Sequence, residues 1–145
     1  MSQKGVFQRI IVGYDGSDNA RRALSTSIGL AKQSKGELRI AVVADTMRYA
    51  GAAGMYQRYN EETKQNAENL AEVALEQAKK AGVDTAYASA EEGQPADMIL
   101  TLATEYKSEL IVVGRRGMRG IQRFLMGSVS TAVINHAKCD VLIVK

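Results

Sequence analysis

Five short apolar runs punctuate this chain, and segments with apolar residues at helical spacing lie between them. The runs are Arg9–Gly13 (RIIVG), Leu38–Ala44 (LRIAVVA), Thr85–Ala90 (TAYASA), Leu110–Val113 (LIVV) and Val141–Val144 (VLIV). Four of them are apolar rather than alternating, the pattern of strands buried on both faces. Thr85–Ala90 alternates and reads as a weaker, outer strand.

The helical segments are as clear. Ser17 or Asp18 caps the first, whose face is Ala20, Leu24, Ile28 and Ala31, and Ser34-Lys35-Gly36 closes it. A long helix runs from about Glu61 to Ala81, with Ala67, Leu70, Ala71, Ala74, Leu75 and Ala78 on one face and Gly82 as its stop. Gly93-Gln94-Pro95 opens a third, with Pro95 at its first position and Ile99, Leu102, Ala103 and Tyr106 facing inward. The last carries Val129, Ala132, Val133 and Ala137. Alternating strands and helices imply a parallel sheet covered on both faces, and right-handed crossovers leave few topologies. Ligands of such sheets sit at the carboxyl ends of strands where the winding reverses. Residues 46–60 (TMRYAGAAGMYQRYN) stand outside this rhythm, with Gly51 and Gly54 as breakers. They are read either as a mobile flap beside a ligand or as a partly ordered segment that makes no ligand contact.

The stretch from Leu110 to Ser130 carries the chemistry. It leaves a strand through Gly114 and Gly117, crosses a tract with Arg115, Arg116, Arg119 and Arg123, and reaches Gly127–Ser128 at a helix start. Backbone approaches an anion closely only where no Cβ intervenes, and successive N–H groups at a helix entrance favour negative charge. The spacing is G-x2-G-x9-G-S. It resembles the ATP-binding signature of the universal stress protein family, and the resemblance extends over nearly the whole chain. Val12-Gly13-Tyr14-Asp15-Gly16-Ser17 is similar to the family's first-strand motif.

Several functional consequences follow from the resemblance. It implies a single-domain (1–145) three-layer α/β/α fold, Rossmann-like, with a five-stranded parallel sheet of order 3-2-1-4-5. It places Asp15 near a ribose, where an acceptor-only carboxylate matches vicinal hydroxyls. The alternative for Asp15 is a turn residue that caps a neighbouring N–H. Val43 matches a position whose backbone contacts adenine, with Gly13 and Tyr14 lining the floor and Val113 joining the set. Gly114, Arg115, Gly117, Gly127, Ser128, Val129 and Ser130 match phosphate-binding positions, the two serines and the N–H groups of Gly127–Val129 acting as donors. Arg115 and Arg116 fill a slot often held by serine or a small polar pair, and arginine there can pair with an outer phosphate. The alternative, a solvated cationic face, is the reading for at least two of the four arginines Arg115, Arg116, Arg119 and Arg123. The expected cofactor is ATP, or AMP or ADP, with magnesium arriving on the nucleotide. The resemblance also implies a homodimer through the C-terminal strand and a regulatory role read by an unidentified protein partner. Asp140 departs from the pattern, standing where proline is frequent.

Other classes are weighed against this one. A slow ATPase or nucleotide-dependent transferase on the same fold is the alternative, but no G-x-x-x-x-G-K-[ST] loop occurs and His136 is the only histidine. A receiver-like module using Asp15 or Asp45 would leave the glycine loop unexplained. The net charge of +3 does not by itself call for nucleic acid, and no RNA-binding motif supports it. A single cysteine, Cys139, excludes an internal disulfide. With no spanning stretch and no secretory h-region in MSQKGVFQRIIV, the cytoplasm is the expected compartment.

Overall fold

The computed structural model describes residues 6–45, 55–116 and 126–145. The elements alternate throughout: β1 (Arg9–Gly13), α1 (Asp18–Ser34), β2 (Glu37–Ala44), α2 (Met55–Lys80), β3 (Thr85–Glu92), α3 (Pro95–Glu105), β4 (Leu110–Gly114), α4 (Ser128–His136) and β5 (Asp140–Val144). All strand pairs are parallel and the order is β3-β2-β1-β4-β5. This is the expected α/β, Rossmann-like arrangement.

Strand periodicity divides the core in two. In β1, Ile10 and Val12 point into a layer shared with Leu24 of α1 and Ala71, Ala74 and Ala78 of α2. Ile11 points the other way, into a layer shared with Ile99 and Leu102 of α3 and Val133 of α4. All three β1 residues are buried, with at most 1% exposed. β1 is thus a wall packed from both sides. The chain runs outward from it to β2 and β3, then crosses back to β4 on its other flank. The winding reverses between β1 and β4, so their carboxyl ends open side by side.

Local signals fix the starts of α1 and α3. Ser17 caps α1, its Oγ accepting the Ala20 N–H at 3.2 Å. Gln94 does the same for α3 through the Asp97 N–H at 2.7 Å, with Pro95 at the first position. Ser17→Ala is expected to cost about 1 kcal/mol, read as a lower urea midpoint. On the outer flank, the Arg39 guanidinium lies over the rings of Tyr87 (4.4 Å) and Tyr106 (3.8 Å), which ties the end of α3 to β2 and β3.

Several boundaries differ from expectation. α2 begins at Met55, not near Glu61, so the last part of the proposed flap is helix. No glycine or proline lies between Gly54 and Gly82, so nothing local stops the helix earlier. The rest of the flap reading, 46–54, lies outside the described residues. β3 continues to Glu92, paired with β2 along its whole length, and β5 starts at Asp140, opposite Leu110.

Candidate functional site

At the reversal point a cavity of about 360 Å³ opens between the ends of β1, β2 and β4 and the start of α4. Its size falls within the range of small-molecule sites. Gly13, Tyr14, Asp15, Val43, Val113, Gly114, Arg115, Gly127, Ser128, Val129 and Ser130 all line it. Gly117 lies outside the described residues, as do Arg119 and Arg123. The lining also includes Ser17, Ala20, Ala41, Asp45, Pro95, Ile99 and Arg116. Of these, Ala41 was within reach of the sequence: it stands two residues before Val43, on the same strand face.

The β1 side is held by short local bonds. The Tyr14 N–H donates to the Ala41 carbonyl at 2.9 Å, which fixes the strand end against β2. The Asp15 carboxylate accepts the Ser17 N–H at 3.0 Å, so one of its oxygens serves the turn. A carboxylate has several acceptor positions, and Asp15 itself is exposed, so the turn and a sugar hydroxyl are not exclusive roles.

The β4 side is organised on the backbone of Arg115. Its N–H donates to the Val144 carbonyl of β5 at 2.7 Å. Its carbonyl accepts the Gly127 N–H and the Ser130 hydroxyl, both at 2.8 Å, and Ser130 Oγ also lies 3.1 Å from the Gly127 carbonyl. Arg115 and the start of α4 are therefore joined directly. Two donors read from the sequence as aimed at phosphate, the Gly127 N–H and the Ser130 hydroxyl, are engaged with main-chain oxygen, and Ser130 is 1% exposed. Gly114 also has a local cause. A Cβ there would lie 2.8 Å from the Asn19 carbonyl carbon, so the residue is small because the backbone of α1 lies against it.

What faces the cavity is the first turn of α4. The first intrahelical bond runs from the Thr131 N–H to the Gly127 carbonyl, which leaves the N–H groups of Ser128, Val129 and Ser130 without intrahelical acceptors. Among the described residues no side chain caps this end and no acidic residue lies in its first turn, whereas α1 has Ser17 and Asp18 and α3 has Gln94 and Asp97. Arg115 and Arg116, both half-buried, add positive charge beside it. An anion at this position would meet three amide donors and the positive end of a helix dipole. Asp15 and Asp45 also line the cavity and bring negative charge to it. Among the described residues, no group of three or more metal-ligating side chains converges.

A second hollow, of about 500 Å³, lies at the amino ends of β4 and β5 and includes His136, Lys138 and Cys139. Burial pushes the Cys139 thiol above its ordinary range, and the neighbouring Asp140 carboxylate pushes it further. The native fold thus disfavours the thiolate. Iodoacetamide at pH 8 is expected to alkylate Cys139 more slowly in the native protein than in urea, and faster in Asp140→Asn than in wild type.

Comparison with known proteins places the chain in a family and a fold. The family model described as the universal stress protein family matches residues 7–145. A curated universal stress protein of Staphylococcus aureus (strain USA300) is 34% identical over 140 residues, covering 96% of this chain and 84% of that protein. Among solved structures, UspA from Lactobacillus plantarum superimposes with a TM-score of 0.87 at 21% identity, over 97% of this chain and all of that one (100%). A crystal structure of a universal stress protein in complex with cAMP is 32% identical, with a TM-score of 0.66, over 97% of this chain and 98% of that one. No helix among the described residues is long and apolar enough to cross a membrane.

Proposed function

The chain belongs to the universal stress protein family, and on that premise we propose that its crevice binds an adenine nucleotide, ATP in the first instance, and that the bound state regulates a homodimer. One observation carries the reading: the uncapped start of α4 opens onto a cavity with Arg115 and Arg116 at its edge. That arrangement suits phosphate. The 32%-identical relative solved with cAMP supports adenine as the base. The purine rests on the main chain of Val43 and the Gly13–Tyr14 floor, the ribose faces Asp15, and the phosphates reach Ser128 and Val129. Magnesium enters on the polyphosphate.

Binding is favoured over turnover. Among the described lining residues there is no histidine or lysine to serve as a proton carrier or phosphate clamp. Hydrolysis is expected to be slow, and steady phosphate release well above background that Asp15→Ala abolishes would favour the transferase or ATPase alternative.

Two measurements test the nucleotide site. Mass spectrometry of small molecules released from the purified protein is expected to find an adenine nucleotide. Calorimetric titration with ATP, AMP and cAMP is expected to give saturable binding that Gly127→Val weakens, and undiminished affinity in that variant would reject the assigned site.

The dimer rests on the last strand. Among the described residues β5 is an edge of the sheet, paired only with β4, and Val141–Val144 are half-buried. Its outer row of N–H and C=O groups suits a second copy related by two-fold symmetry. Light scattering at micromolar concentration is expected to give twice the chain mass; a monomer would reject this assembly.

A further inference from the structure

Two loops form the crevice, and one side chain outside its lining joins them. Asn19 sits in the first turn of α1, just beyond the Asp15 turn. Its Nδ2 donates to the Arg116 carbonyl at 3.2 Å, across 97 residues of sequence. Its Oδ1 accepts from the Arg22 guanidinium at 2.6 Å. The amide orientation is fixed by its partners, since a carbonyl only accepts and a guanidinium only donates. Arg22 in turn donates through Nε to the main-chain oxygen of Lys145 at 2.7 Å, just past β5. The bare Cα of Gly114 lets the Asn19 backbone come this close.

The two peptides that leave β4 are therefore held from two sides. Arg115 is pinned by Val144 of β5, and Arg116 by Asn19 of α1. From this we infer that Asn19 and Arg22 are positioning residues for the nucleotide site. They brace the Asp15 turn against the loop that begins at Arg115, and so set the width of the crevice before a ligand arrives. The inference rests on the nucleotide reading above. A braced loop has less freedom to lose on binding, which raises affinity without any contact to the ligand.

The test compares Asn19→Ala, Arg22→Met and Arg22→Lys with wild type in AMP and ATP titrations, alongside amide hydrogen exchange on the ligand-free proteins. Asn19→Ala and Arg22→Met each remove two bonds of the brace, and each is expected to weaken binding by roughly three- to tenfold, because only part of that loss is transmitted to the site. Lysine keeps the charge of Arg22 but lacks the planar fork that reaches both Asn19 and Lys145, so Arg22→Lys is expected to stay weakened. Exchange at the Arg115 and Gly127 amides is expected to quicken in Asn19→Ala, while Ile10 and Ile11 keep the wild-type rate. Unchanged affinity in Asn19→Ala, or full recovery in Arg22→Lys, would overturn the brace. If the wild type bound neither nucleotide, the functional reading would fall and the exchange arm alone would judge the brace. Unchanged exchange at Arg115 would then reject it, and faster exchange would retain it as a device that holds the loop.

Discussion

Replacing Ser128 with aspartate is expected to lower ATP affinity at least tenfold while leaving the fold as stable as wild type, or slightly more so. The two effects have opposite signs because one carboxylate meets one helix end in two states. Without ligand it supplies the acidic first-turn residue that α4 lacks, a stabilisation of about 0.3–1 kcal/mol. With ligand it stands where the phosphates belong. Two like charges about 4 Å apart repel by roughly 1 kcal/mol in water and about 4 kcal/mol near a protein surface. A tenfold loss needs only about 1.4 kcal/mol. Ser128 is exposed and lines the cavity, so the new side chain disturbs no packing. Calorimetry paired with urea unfolding reads both signs. A variant that binds ATP normally would place the phosphates elsewhere, and one that lost affinity and stability together would point to a damaged fold.

Gly114→Ala is expected to destabilise the protein by about 1–3 kcal/mol, several degrees in melting temperature at roughly 2–4 °C per kcal/mol. The added Cβ would meet the Asn19 carbonyl carbon at 2.8 Å and its oxygen at 3.0 Å. Both are backbone atoms of the first turn of α1, so relief requires moving the helix or the strand end. Gly13→Ala makes the informative control. Its Cβ would meet Ile99 Cδ1 at 2.7 Å, the far end of a flexible side chain that can turn aside. The same methyl group should thus cost clearly less one strand away. Equal urea midpoints for the two variants would show that α1 yields as readily as a side chain does.

Much of this molecule is legible in its sequence because the decisive signals are local. The apolar runs, the Ser17 cap and Pro95 at the first turn of α3 all act within a few residues, and a strand or helix forms at each of them. The cavity residues were legible for a related reason. They cluster at the ends of β1, β2 and β4 and at the start of α4, which the winding brings together, and eleven of the twelve candidate residues line one hollow, Gly117 alone lying outside the described residues.

What stayed hidden is long-range. Nothing near Gly114 announces Asn19, and nothing near Asn19 announces Arg116. The Ser130 hydroxyl and Gly127 N–H look like ligand donors until the chain folds and presents them with the Arg115 carbonyl. Motif spacing named the residues of the loop. It did not separate those that face a ligand from those that hold the loop shut. The sequence reading starts α2 late because it groups 55–60 with the glycine-broken stretch before them, although none of those six residues breaks a helix.

The wall formed by β1 has a consequence for how the family fold can diversify. Gly13 and Tyr14, on which a base would rest, continue a strand whose side chains are locked into both halves of the interior. That strand belongs to the part of the molecule that yields last. New ligand preferences must therefore be written into the rim, where residues change without unsettling the foundation beneath them.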